Sequence, residues 1–317
     1  MRIVVTGGAG FVGANLCRAL TREHDVVVLD DLSTGNLANL AGADLDVRIG
    51  SVLDAELVSR ACRGADAIVH LAAVPSVPRS IENPRRSHDA NVTGTVAVLD
   101  VARESGAHVV LASSSSVYGR NPVLPKAEDL VCRPTSPYAV TKLAAESYAV
   151  AYQASFGVPV LPLRFFNVFG PLQAPGHAYA AAIPAFIHAA LRGDPLVVHG
   201  DGSQSRDFTY VDSVVEVLTS AVVRRVTSET PVNLAFGTRT SLNQVIAMLS
   251  DILGRRLPVR HTEPRAGDVP HSQADTALLR SLFPGVVPVP LRAGLLRTLS
   301  WMESATGKSG ITQEASA

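Results

Sequence analysis

Tyr138 and Lys142 stand four residues apart in Tyr138-Ala-Val-Thr-Lys142, a little downstream of the run Ser113-Ser114-Ser115-Ser116-Val117-Tyr118-Gly119. On a helix that spacing places both side chains on one face, where they can reach one substrate. A free tyrosine titrates near ~10, and a neighbouring ammonium favours the phenolate, which brings the group towards general-base work at neutral pH. A serine hydroxyl from a nearby strand end would orient the alcohol that loses its proton. These three residue types suit the oxidation of an alcohol, provided that something accepts the hydride.

The first thirty residues supply that acceptor. Arg2-Ile3-Val4-Val5-Thr6 reads as a buried strand, Gly7-Gly8-Ala9-Gly10-Phe11-Val12-Gly13 as a glycine turn, Ala14 to Leu20 as a helix and Val26 to Asp30 as a second strand ending in an acid. A dinucleotide needs that order: Gly7 for the tight turn, Gly10 for backbone approach to the pyrophosphate, Gly13 for close helix packing. Asp30 is placed to accept from the adenosine ribose hydroxyls, which disfavours a 2′-phosphate and points to NAD rather than NADP.

These motifs sit on an α/β pattern. Strands are expected at Ile3 to Val5, Val26 to Leu29, Val47 to Ile49, Ala67 to His70, Val109 to Ala112 and Val160 to Arg164. Helices at Ala55 to Cys62, Ala90 to Ser105 and Ala139 to Ser155 separate the later ones, the signature of a doubly wound parallel sheet of Rossmann type. Beyond Pro171 the elements shorten: helices at Ile183 to Leu191, Ser213 to Arg225, Ser241 to Leu253 and Leu291 to Met302, strands at Leu196 to Val198 and Val232 to Ala235. The reading is a Rossmann domain over residues 1–166 with segments near 207–236, a smaller α/β substrate lobe over 167–206 and 237–303, and a disordered tail over 304–317.

Composition narrows the partners. The 317 residues carry 28 Lys plus Arg against 28 Asp plus Glu, which gives no footprint for nucleic acid or an anionic membrane. No apolar run reaches the ~20 residues of a bilayer span, and the chain enters a strand directly, so a cytoplasmic enzyme is expected. Cys17, Cys62 and Cys132 lack metal-ligand spacing, and no metal site is expected. His70 follows an apolar strand and reads as structural.

Taken together, the motifs resemble the extended short-chain dehydrogenase/reductase family, in particular its nucleotide-sugar 4-epimerases. The glycine turn, His70-Leu71-Ala72-Ala73, Asn91-Val92-Thr93-Gly94-Thr95, the serine run, Ser136-Pro137-Tyr138 to Lys142, Leu163 to Pro171, Gly200-Asp201-Gly202, Arg206-Asp207-Phe208 and Arg265-Ala266-Gly267-Asp268 occur in family order. The resemblance implies a homodimer through helices around Ala97 and Ala149, and tightly held NAD. Contacts to the NAD are implied for Phe11, Val12, Asp31, Ser33, Thr34, Gly35, Ser51, Val52, Leu71, Ala72, Ala73, Asn91 and Phe165, besides Gly7, Gly10, Gly13, Asp30, Tyr138 and Lys142. It also implies that Tyr138 takes the sugar C4 proton, Lys142 holds the nicotinamide ribose and lowers the tyrosine pKa, and Ser114 bonds the same hydroxyl. Arg206, Arg265 and Asn167 are the implied diphosphate contacts and Asp268 a nucleotide contact. Val77, Ser115, Ser116, Ala182, Ile183, Val197, His199 and Ser272 complete the implied substrate site.

Departures narrow the reaction. Dehydratases of the family carry Asp-Glu, and UDP-glucuronate decarboxylases a glutamate, where this chain has Ser115 and Ser116, which cannot exchange those protons. Glucuronate epimerases place an arginine where Ala174 stands. A neutral UDP-hexose is favoured, and the small Ser272, with Val74 to Ile81 and Ala178 to Pro184, resembles members that handle N-acetylated sugars. UDP-GlcNAc/UDP-GalNAc interconversion is therefore the preferred reading, with UDP-glucose/galactose shared. A uronate epimerase, a dehydratase, a reductase or a non-catalytic NAD sensor are its rivals. The family's adenine-binding acid is absent, Gly50-Ser51 standing in its place.

Overall fold

Seven parallel strands form the central sheet of the computed structural model: β1 (Arg2–Thr6), β2 (Asp25–Asp30), β3 (Asp46–Ile49), β4 (Ala67–His70), β5 (His108–Ser114), β6 (Val160–Phe165) and β7 (Val232–Leu234). Their spatial order is β7-β6-β5-β4-β1-β2-β3, and the structure describes residues 1–175, 181–264 and 269–305. The chain runs outward from β1 to β3, then restarts on the other side of β1 at β4. At that reversal the strand ends leave a crevice, the usual ligand site of such sheets.

Alternate residues of each central strand feed two cores. Ile3, Val5, Val26 and Val28 pack with α1 (Phe11–Leu20) and α8 (Val211–Val223). Val4, Val27 and Leu29 pack on the opposite face with α2 (Ala55–Cys62), α5 (Gly94–Ser105) and α6 (Pro137–Phe156). Each fully buried Val or Leu contributes roughly 1.5–3 kcal/mol, so a strand buried on both faces holds its register firmly. A third core joins α7 (Ala182–Arg192), α9 (Leu242–Ile252) and α11 (Leu291–Ala305) to a parallel pair, Leu196–His199 with Val259–Thr262.

Helix α6 starts and stops on local chemistry. The Ser136 hydroxyl accepts the Ala139 N–H at 3.2 Å, Pro137 opens the first turn, and Gly157 ends the helix at φ 70°. The helix expected from Ala90 begins instead at Gly94, after short helices α3 (Val77–Glu82) and α4 (Pro84–His88) and a π-helical turn over Asp89–Thr93. Asn91 fixes that turn, accepting from Val74 N at 2.7 Å and donating to the Thr141 hydroxyl at 2.9 Å. The final helix extends to Ala305, past the expected start of the tail, whose residues 306–317 lie outside the described residues. Among the described residues no helix is long and apolar enough to cross a membrane.

Candidate active site

The turn after β1 is built for close approach. Gly7 adopts φ +72°, and a Cβ on Gly13 would stand 2.2 Å from the Gly7 carbonyl oxygen, so no larger residue fits without shifting backbone. Helix α1 opens at Gly10 without a side-chain cap, which leaves the N–H groups of its first turn for an anion. At the end of β2, Asp30 accepts from Ala9 N at 2.9 Å and Leu32 N at 2.8 Å. Burial pushes its carboxyl up and those two bonds pull it down. A carboxylate so held keeps lone pairs for two ribose hydroxyls.

A cavity of about 1610 Å³ opens beside this turn, beyond the ~300–1,000 Å³ of ordinary ligand pockets and spacious enough for a dinucleotide and a second nucleotide together. It is lined by the glycine turn, Asp30, Asp31, Ser33 to Gly35, Ser51, Val52, Leu71 to Ala73, Val77, Ser114 to Ser116, Tyr138, Lys142, Phe165, Asn167, Arg206 and Ser272. Five expected residues do not line it. Asn91 is buried behind the wall, where it serves the π turn. Ala182 and Ile183 begin α7, and Ile183 is consumed by the third core. Val197 faces outward from its strand, and His199 Nδ1 is tied to the Thr262 hydroxyl at 2.8 Å. Arg265 and Asp268 lie outside the described residues.

Tyr138, Lys142 and Ser114 meet at one wall. The Lys142 ammonium donates to the Ala112 carbonyl at 2.8 Å, and burial pulls its pKa down to about 8. The resemblance implies that this lysine lowers the tyrosine pKa, and burial acts on the same group in the opposite direction. Burial pushes the Tyr138 phenol up, and the group that pulls it back is the Ser114 hydroxyl. Sequence spacing shows which groups are near but not how dry they are, and burial is the largest influence on this phenol.

Behind the wall stands support that spacing alone did not reveal. Glu146, one turn beyond Lys142, pairs with Arg164 of β6 at 2.7 Å and accepts the Ser113 hydroxyl at 2.6 Å. Arg164 also reaches the Tyr118 hydroxyl at 2.9 Å, and that hydroxyl donates to Asn233 at 2.6 Å. The Glu146 position, eight residues from Tyr138 on the same helix face, was the available signal.

His70 is structural. The Thr95 hydroxyl donates to the Asn91 carbonyl at 2.6 Å, so it accepts from His70 Nε2 at 3.0 Å, which leaves Nδ1 to accept from Thr6 at 2.7 Å. Burial, then the Lys142 charge, holds its pKa down at about 3, so the ring is neutral at working pH.

At the other end, Asn167 adopts φ 33° and donates to the Asp207 carbonyl at 3.4 Å. Asp207 is fully buried and accepts from Gly237 N, Thr238 and Ala274 N. That grip seats Arg206, which donates to the Pro270 carbonyl at 3.2 Å, and brings Ser272 to the same rim through its N–H to Ser205. Lys126, Thr135, His271 and Trp301 also line the cavity without a motif that marks them, and Arg79 does so from the Val74 to Ile81 segment.

Residues 3–235 match the model of the NAD dependent epimerase/dehydratase family. The chain belongs to that family. A UDP-glucose 4-epimerase of Mycolicibacterium smegmatis is 34% identical over 312 residues, covering 96% of this chain and 99% of that protein. Among solved structures, a UDP-N-acetylglucosamine 4-epimerase from Methanobrevibacter ruminantium, in complex with UDP-N-acetylmuramic acid, superposes with a TM-score of 0.91 at 34% identity, over 96% of this chain and 98% of that one. A NAD-dependent NDP-hexosamine 5,6-dehydratase involved in tunicamycin biosynthesis gives 0.87 at 36% identity, with the same coverage. The family is NAD-dependent, and the residues here fit that cofactor: an uncapped helix start, a turn that admits no Cβ, and a buried ribose-side carboxylate.

Proposed function

We propose that this enzyme inverts C4 of a UDP-hexose, with UDP-GlcNAc/UDP-GalNAc preferred and UDP-glucose/galactose shared. The observation that carries this reading is the meeting of Tyr138, Ser114 and Lys142 at one wall, with Ser115 and Ser116 beside them instead of carboxylates. Tyr138 takes the C4 hydroxyl proton, Ser114 orients that hydroxyl, and Lys142 holds the cofactor ribose. NAD, held at the glycine turn and Asp30, would supply the hydride acceptor for C4 and the hydride for its return. The 4-keto sugar turns over in the cavity, which has the volume for it, and Tyr138 returns the proton to the other epimer. Arg206 and Asn167 hold the diphosphate, and the small Ser272 leaves room at C2.

The test is incubation with a panel of UDP- and dTDP-sugars without added cofactor, with products resolved by NMR. The expected result is C4 inversion of UDP-GlcNAc at a higher rate than UDP-glucose. Equal or faster turnover of UDP-glucose would remove the N-acetyl preference. The similarity to a hexosamine dehydratase favours one second reading, loss of water from a UDP-hexosamine, and a product lighter by a water would establish it.

A further inference from the structure

The lining of the cavity also includes Gly50 to Leu53, Asp89 and Ala90. Gly50 N donates to the Asp30 carbonyl at 3.0 Å, so the Gly50 to Leu53 stretch starts beside the strand end that carries the ribose-side carboxylate. A Cβ built on Gly94 would stand 2.5 Å from Val52 Cγ2 and 3.8 Å from the Asp89 carbonyl oxygen, so Val52 and Asp89 come together there.

An adenine placed here needs an apolar face and an acceptor for its exocyclic amine. Val52 and Leu53 supply apolar surface. Ser51 is a weak candidate for the acceptor, because its hydroxyl oxygen already receives the Leu53 N–H at 3.1 Å. Asp89 also lines the cavity; its backbone N–H donates to the Arg85 and Arg86 carbonyls, while its carboxylate makes no hydrogen bond or ion pair with the described residues. The π turn that begins at Asp89, closed by Gly94 N to the Asp89 carbonyl and pinned through Asn91, fixes the backbone that carries that carboxylate.

We infer that Asp89 is the adenine-reading residue of this protein, accepting from the amine in place of an acid at Ser51. The inference rests on NAD binding and is independent of which sugar is turned over. It is tested by displacing pre-bound NADH, followed by its fluorescence, with NAD or with nicotinamide hypoxanthine dinucleotide, whose base carries a carbonyl oxygen in place of the amine. Wild-type protein should prefer NAD by about tenfold or more, the scale of one hydrogen bond to a charged group. Asp89→Ala should reduce that preference to about one, and adding Ser51→Asp should restore it. A preference unchanged in Asp89→Ala would overturn the assignment, and so would an equal weakening of both dinucleotides, which marks damage to the turn rather than loss of base reading.

Discussion

Tyr138→Phe is expected to keep NAD bound and to lose epimerisation by about 10²- to 10⁴-fold, the usual scale of general acid–base catalysis. The substitution removes one hydroxyl and leaves the ring in place, and the backbone anchor of the helix start, Tyr138 N to the Ser80 hydroxyl at 3.0 Å, is untouched. Because burial raises the phenol pKa, the phenolate is scarce near neutrality and grows with pH. The wild-type rate should therefore rise towards alkaline pH and the residual rate of the variant should not. Product formation by NMR across that range is the measurement, and a fully active variant would refute the assigned base.

Glu146→Ala should be the most destabilising single change near the site. It strands the Arg164 guanidinium, 4% exposed, without its carboxylate and leaves the Ser113 hydroxyl without its acceptor. Removing one partner of a buried ion pair costs about 3–5 kcal/mol, because the remaining charge stays dehydrated. Glu146→Gln keeps an acceptor for Ser113 and should cost less. Urea denaturation of the three proteins orders them, and equal midpoints would show that the pair carries no net weight. Activity should fall with the pair, since Ser113 precedes Ser114 and Glu146 shares a helix with Tyr138 and Lys142.

The parts readable from sequence were those with local causes. The valine-rich strands are buried on both faces, and the glycine turn has a steric requirement at Gly13 that only one residue type meets. The π turn was not readable, because an apolar run cannot distinguish an i→i+5 bond from a continuous helix, and Ala90 was therefore placed inside α5. The strand Val259–Thr262 escaped notice because it is short, polar and half exposed, with none of the alternation that marks a buried strand. The resemblance implies substrate contacts for Ile183 and Val197, while Ile183 packs in the third core and Val197 is exposed. The Glu146–Arg164 pair joins a helix to a strand; the helical spacing of Glu146 from Tyr138 points towards the site, but nothing in β6 names Arg164 as its partner.

The burial of Lys142 also has a thermodynamic side. A drop from 10.5 to about 8 means that the folded chain holds this ammonium at a cost on the order of 3 kcal/mol below pH 8. Between pH 8 and 10.5 the unfolded chain binds the proton more readily than the folded one, so this group makes stability climb with pH over that window. At neutral pH the buried ammonium of Lys142 therefore subtracts from the stability of the fold.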